Sequence, residues 1–198
     1  MKNILISILI LSLISCESLK KDDTDFLNFR LGMSKKEYEK ERTKLFKENK
    51  FRSLPSNFSG FYNWYVYNLP IGDESIPVVV DFSFKFDELR EISVSIGKIK
   101  SGRLKVYFET TENQVDKLLS LYKTKYGTPD SMHTMIYSWE KVNKEISFFT
   151  GSDNGSHYDG AFILYSYDKD FEEKLDKKAE DELKKEKEKA IKKSIDNI

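Results

Sequence analysis

Three kinds of hydrophobic pattern follow one another along the chain. Residues 4–14 are apolar except for Ser7 and Ser12 and show no amphipathic period. From Ser34 the spacing turns helical. Tyr38, Leu45 and Phe46 share one face among lysines and glutamates, and Ser34 with Glu37 three positions on makes a capping box, which predicts a helix from there to about Asn49. Met33 and Tyr38 are placed to staple its entry. After Pro55 comes an aromatic stretch, Phe58, Phe61, Tyr62, Trp64, Tyr65 and Tyr67, which reads as a strand ended by Leu69-Pro70. Val80, Phe82, Phe84 and Phe86 then alternate with Asp81, Ser83 and Lys85. With Asp87-Glu88 as the turn and Ile92, Val94 and Ile96 on the return, the period of two predicts an antiparallel hairpin.

The second half repeats this order. Thr111 and Gln114 form another capping box, Val115, Leu118, Leu119, Tyr122 and Tyr126 keep helical spacing, and Gly127-Thr128-Pro129 stops the helix. Strands are predicted at 136–141, 145–150 and 161–167, joined by Val142-Asn143-Lys144 and by the polar loop 151–160. The helix starts at Ser34 and Thr111, and the motifs Tyr62-Asn63-Trp64 and Tyr137-Ser138-Trp139, recur at nearly one offset. This suggests a duplicated αβββ unit, with repeats at 31–100 and 108–167. The predicted class is therefore α+β, two helices packed on antiparallel sheet over residues 26–167, followed by a charged C-terminal helix over 168–198. That last segment lacks proline and glycine and places acids four residues before lysines, as in Glu173/Lys177 and Glu188/Lys192. Its thin stripe of Phe171, Leu175, Leu183, Ile191 and Ile195 fits either a solvated helix docked near Phe171 and Leu175 or a partner-binding segment.

The first apolar run changes the setting of everything after it. Lys2 precedes it, charged residues follow Cys16, and it is about half the roughly 20 residues that span a bilayer. Leu13-Ile14-Ser15-Cys16 resembles the lipobox of bacterial type II signal peptides. The resemblance implies a signal peptide at 1–15, cleavage before Cys16, lipidation of Cys16 and a lipidated tether at 16–25. Two or three acyl chains, such as palmitate, anchor a protein stably without a spanning helix, because each buried methylene contributes about 0.8 kcal/mol. Glu17 after the cysteine is not the aspartate associated with inner-membrane retention, which points to the outer membrane. A second resemblance lies in Thr111-Glu112-Asn113-Gln114-Val115 and Lys125-Tyr126-Gly127-Thr128-Pro129. These residues look like the helix of small outer-membrane lipoproteins of the SmpA/OmlA (BamE) type and of the β-lactamase-inhibitor-like fold. That similarity covers about one helix and implies a protein-binding role; the two-unit layout and the charged tail depart from it.

Charge and chemistry narrow the function further. The 33 basic and 33 acidic residues balance, so nothing draws the chain to nucleic acid. Cys16 is the single cysteine, and His133 and His157 are the two histidines, too few for the usual zinc sets or Cys/His nucleophile pairs. No cofactor-binding motif occurs. In the loop after Gly151, Asp153, Asn154 and Asp159 offer oxygens to calcium but lack the regular spacing, so an ordinary hairpin loop is the simpler reading. The aromatic stretch has the most functional pull, since Tyr62, Trp64, Tyr65 and Tyr67 form a candidate surface for a ligand or partner. Alternation puts Trp64 and Tyr62 on one side and Tyr65 and Tyr67 on the other, so one set is expected in the core. The expectation is a non-enzymatic, envelope-anchored binding or scaffold lipoprotein, held at a membrane through Cys16, with an envelope protein or glycan as partner. The alternative is a small envelope-displayed hydrolase or carbohydrate-active enzyme.

Overall fold

The computed structural model of the protein describes residues 25–54, 64–101, 104–107, 110–133, 135–150 and 160–195. Two compact units divide the chain, residues 1–30 and 31–198. Of the first, the described part is a short turn in which Phe26 and Phe29 form a β-bridge. The signal peptide, Cys16 and the tether up to residue 24 lie outside the described residues.

The second unit is α+β. Its elements are α1 (Lys35–Lys47), β1 (Phe51–Ser53), β2 (Tyr65–Ile71), β3 (Glu74–Lys85), β4 (Glu88–Ser101), β5 (Leu104–Tyr107), α2 (Glu112–Tyr126), β6 (Ser131–His133), β7 (Ile136–Lys141), β8 (Lys144–Thr150), β9 (Gly160–Tyr167) and α3 (Lys169–Ile195). Eight strands pair antiparallel in the order β1-β2-β3-β4-β9-β8-β7-β6, and β5 folds back on the end of β4.

Both capping boxes form as the spacing requires. Glu37 accepts from the Ser34 backbone N–H at 2.9 Å while Ser34 Oγ accepts from the Glu37 N–H at 3.3 Å. Thr111 and Gln114 reproduce the pair at 3.0 and 3.3 Å. These bonds occupy donors that the first turn of a helix otherwise leaves open, which fixes where α1 and α2 begin. At the other end of α2, Gly127 takes φ +89°, a backbone state that L side chains rarely adopt, and its carbonyl accepts the Trp139 indole N–H at 2.9 Å. A stop signal in the helix is thereby tied to the core of the sheet.

One register row explains why both helices share a face. Phe82, Ile92, Tyr165, Ile146 and Trp139 pair across β3, β4, β9, β8 and β7, so they point the same way. At one end Phe82 meets the Tyr38 ring of α1, centroids 5.0 Å apart; at the other Trp139 meets Tyr122 of α2 at 6.1 Å. All five row members are at most 4 % exposed. At roughly 1.5–3 kcal/mol for each fully buried large apolar side chain, this row and its neighbours hold the helices down.

Several predicted boundaries move. The first aromatic strand begins at Tyr65 and runs through Pro70 to Ile71, while Phe58, Phe61 and Tyr62 lie outside the described residues. Proline is tolerated there because β1 covers only positions 65–67 of β2, leaving the edge beside Pro70 open. The hairpin turn is Phe86-Asp87 rather than Asp87-Glu88, with φ +51° and +65°. Five strands, β1–β5, follow α1 and four, β6–β9, follow α2, instead of three each, because the short β1 and β6 add an edge to each half and β5 folds back on β4. Trp64 sits just ahead of β2, whereas Trp139 is central in β7, so the two Tyr-x-Trp motifs do not occupy matching places. The loop at 151–159, with the suggested calcium oxygens and His157, lies outside the described residues.

Candidate functional site

Alternation gives the sheet a second face, and its composition differs from that of the first. Three rows cross it. The first is Val79, Ser95, Phe162, Phe149 and Ile136; the second Asp81, Ser93, Leu164, Ser147 and Ser138; the third Ser83, Glu91, Ser166, Glu145 and Glu140. The face thus grades from apolar through hydroxyl to acidic. α1 and α2 pack on the other side, and among the described residues only the first turns of α3 meet this face, at its acidic edge beside Lys85 and Glu91. Phe162, Leu164, Phe149 and Ile136 remain partly exposed in strands whose opposite side chains are buried.

Hydrogen bonds hold the polar groups in place. Ser147 Oγ donates to Glu145 at 2.7 Å, so in the contact at 3.2 Å between the Ser138 and Ser147 hydroxyls it is Ser138 that donates. This relay orients Glu145 and satisfies two buried hydroxyls. Asp81 accepts the Phe82 N–H at 2.8 Å and the indole N–H of Trp64. Burial raises the Asp81 carboxyl above its ordinary range, although both bonds pull it back. Glu91, one register step away on the neighbouring strand, is also raised, first by burial and then by the charges of Asp81 and Glu172.

At the acidic edge the first turns of α3 reach the sheet. Lys85 Nζ bonds Asp176 at 2.5 Å, and the Tyr167 and Phe171 rings stand 5.1 Å apart. Phe171, Glu172, Leu175, Asp176 and Ala179 are the partly covered positions, and from 180 to 192 every residue is exposed. Arg90, the extra residue in the β3–β4 bulge, is 5 % exposed and lies beneath Tyr167, 5.8 Å from the ring centroid. Its Nη2 meets Glu88 at 3.2 Å, while Nε and Nη1 have no hydrogen-bond partner among the described residues.

The candidate aromatic surface divides as alternation requires. Tyr65 is 3 % exposed, bonded to the Tyr38 hydroxyl at 3.2 Å and stacked on Phe51, so it belongs to the core under α1 and not to a binding surface. Tyr67 lies on that same face, half-buried. Trp64 is half-buried and joins the second face through Asp81. Tyr62 lies outside the described residues. Phe162 and Leu164 escaped the reading of the sequence, yet a signal was there. The run Ala161-Phe162-Ile163-Leu164-Tyr165 is apolar at consecutive positions, which marks a strand with apolar groups on both faces.

No group of three or more His, Cys, Asp or Glu among the described residues is arranged to hold a metal ion. No described helix is long and apolar enough to cross a membrane. In comparisons with known proteins, no family model, no curated protein and no solved structure matches the chain.

Proposed function

We propose that the chain is a bacterial lipoprotein, cleaved before Cys16 and anchored there by acyl chains to the cell envelope, at the outer rather than the inner membrane. In this reading it acts as a non-enzymatic binding or scaffold module, and the sheet face opposite α1 and α2 is its working surface. The observation that carries the binding role is the row of partly exposed Phe162, Phe149 and Ile136 beside oriented acids, on the face opposite α1 and α2 that α3 meets only at its acidic edge. A monomeric domain rarely leaves a contiguous apolar strip open without a use for it. The anchor rests on Leu13-Ile14-Ser15-Cys16 and the short apolar run before it. We also read the halves as a duplicated αβββ unit. In support, each has a boxed helix followed by a meander, and the two meet strand to strand at β4 and β9.

The test uses cells grown with labelled palmitate. The chain takes up label and partitions with membranes, Cys16→Ser abolishes both, and Phe162→Asp leaves the label intact while removing captured envelope protein or glycan. Unchanged labelling in Cys16→Ser ends the anchor; unchanged capture in Phe162→Asp ends the role of this face.

A second reading has one observation in its favour, the raised carboxyls of Asp81 and Glu91 on adjacent strands. Such a pair is the raw material of a glycoside hydrolase. Acid/base chemistry needs two carboxyl pKa values pushed apart, whereas both here move upward. Turnover of envelope glycan that vanishes in Asp81→Asn would establish the enzyme.

A further inference from the structure

Charge is segregated on the open sheet face in a way the composition does not require. One third of the chain is charged, with equal numbers of each sign. The face nevertheless carries Asp81, Glu91, Glu145 and Glu140, while its cations are Lys85, bonded to Asp176, and Arg52 out on the β1 edge, bonded to Asn68. Beside the acids lie Phe162 and Leu164. A segment that fits must therefore be apolar and cationic at once.

Such a segment exists on the same chain. Beyond residue 180, α3 leaves the sheet and exposes every described side chain, Leu183 at 44 % and Ile191 at 61 %. At 100° per residue, Leu183, Lys184, Lys187, Ala190 and Ile191 fall on one face of that helix, with no acid among them, while Glu186, Glu188 and Lys189 lie to the sides and back. Residues 181–195 make about 22 Å of helix. Five strands from β3 to β7 span about 19 Å across the sheet. With no glycine or proline to break α3, its own distal half cannot fold back onto the face it leaves.

We infer that the open sheet face receives the distal half of α3 from a second copy of this chain, so that two copies clasp reciprocally through an acidic, apolar sheet and a lysine-bearing, apolar helix. The inference rests on the proposed binding role of this face and names its occupant. A reciprocal exchange is self-complementary, as a twofold dimer must be, and each copy covers the strip the other leaves open.

Full-length chains carrying Ile191→Cys and, on a differently tagged copy, Leu164→Cys are co-expressed and oxidised with copper phenanthroline in the whole lysate. Linked peptides are then identified by mass spectrometry. The 191–164 link forms between the two tags, and Lys189→Cys, on the far side of the helix, gives about tenfold less, as the loss of direct apposition requires. Adding Lys184→Glu and Lys187→Glu, both at solvent-exposed positions, places like charges together and lowers the link about tenfold; Glu140→Lys with Glu145→Lys on the other copy restores it. A link no stronger than the Lys189→Cys control, from chains with native circular dichroism, overturns the inference. Should Phe162→Asp still abolish envelope-partner capture in that case, the binding role of the face stands and self-association alone falls.

Discussion

The Tyr122 hydroxyl of α2 bonds the Tyr165 hydroxyl of β9 inside the packed face, with the Tyr122 ring against Trp139 and Phe148. Burial raises the Tyr122 hydroxyl pKa well above that of a free phenol, while Tyr165 pulls it back. The Tyr122 hydroxyl therefore stays neutral through the physiological range, and the pair locks α2 to the strand where the two halves of the sheet meet. Tyr165→Phe takes this partner from a buried hydroxyl and costs about 1–3 kcal/mol, whereas Tyr122→Phe with Tyr165→Phe costs less than the single change. Urea unfolding of these two variants measures the difference, and equal losses in the single and the double variant would refute the lock.

Trp139 is fully buried and spends its indole N–H on the C-terminal carbonyl of α2. Trp139→Ala removes the largest buried side chain together with that bond and is expected to destabilise the domain by about 3–5 kcal/mol. A midpoint shift below about 1 kcal/mol in denaturant would mean that Trp139 does not carry the core of the second half.

Gly160 tests the junction of the two halves directly. A Cβ there would stand 1.9 Å from the Ile96 carbonyl oxygen and 2.9 Å from its carbon, both backbone atoms of the paired strand β4. Neither can turn aside as a flexible side chain would. Gly160→Ala is expected to cost about 1–3 kcal/mol, the usual range for overpacking, and to open the β4–β9 ladder first. Hydrogen exchange reads this as lost protection at Val94 and Ile163 before loss in β2.

The β3–β4 turn stores strain at a surface position. Phe86 and Asp87 both take positive φ, which two-residue hairpin turns of this type require and which asparagine or glycine accepts more readily than phenylalanine. Phe86 is 39 % exposed, so little packing is lost on replacement. Phe86→Asn is expected to raise stability by about 0.5–1 kcal/mol, seen as a higher thermal midpoint. A lower midpoint would show that the ring contributes more than the strain removes.

Asp81 gives a pH signature with a definite sign. Its folded pKa is raised by burial, so between the ordinary carboxyl pKa and the folded value the native state holds more protons than the unfolded one. Stability therefore falls as pH rises through that window, and Glu91 adds to the slope with the same sign. Asp81→Asn keeps an oxygen for the Phe82 and Trp64 donors, removes the buried charge, and flattens the decline while leaving the protein more stable at neutral pH. A steeper decline in the variant would reverse the assignment.

What the sequence disclosed and what it hid have separate physical causes. Ser34 with Glu37 and Thr111 with Gln114 announce α1 and α2 because a cap acts within four residues, and β7, β8 and β9 fall within a residue of their predicted limits because alternation is local too. β1, β5 and β6 are three or four residues long, too short to show a period. Tyr65 looked like a surface residue only while its partner Tyr38 on α1 was out of sight. The open face was illegible for a deeper reason. Asp81, Leu164 and Ser147 become neighbours through strand register, which depends on the order in which distant strands pair.

A photo-crosslinking amino acid placed at Leu164, and in parallel at the exposed Leu121 of α2, is the most direct test of the sheet face as the working surface. Irradiation of living cells should trap a discrete adduct from position 164, either a second copy or an envelope partner, and none from position 121. Adducts from 121 alone, or from neither position while the chain is folded and abundant, would contradict a binding role for that face.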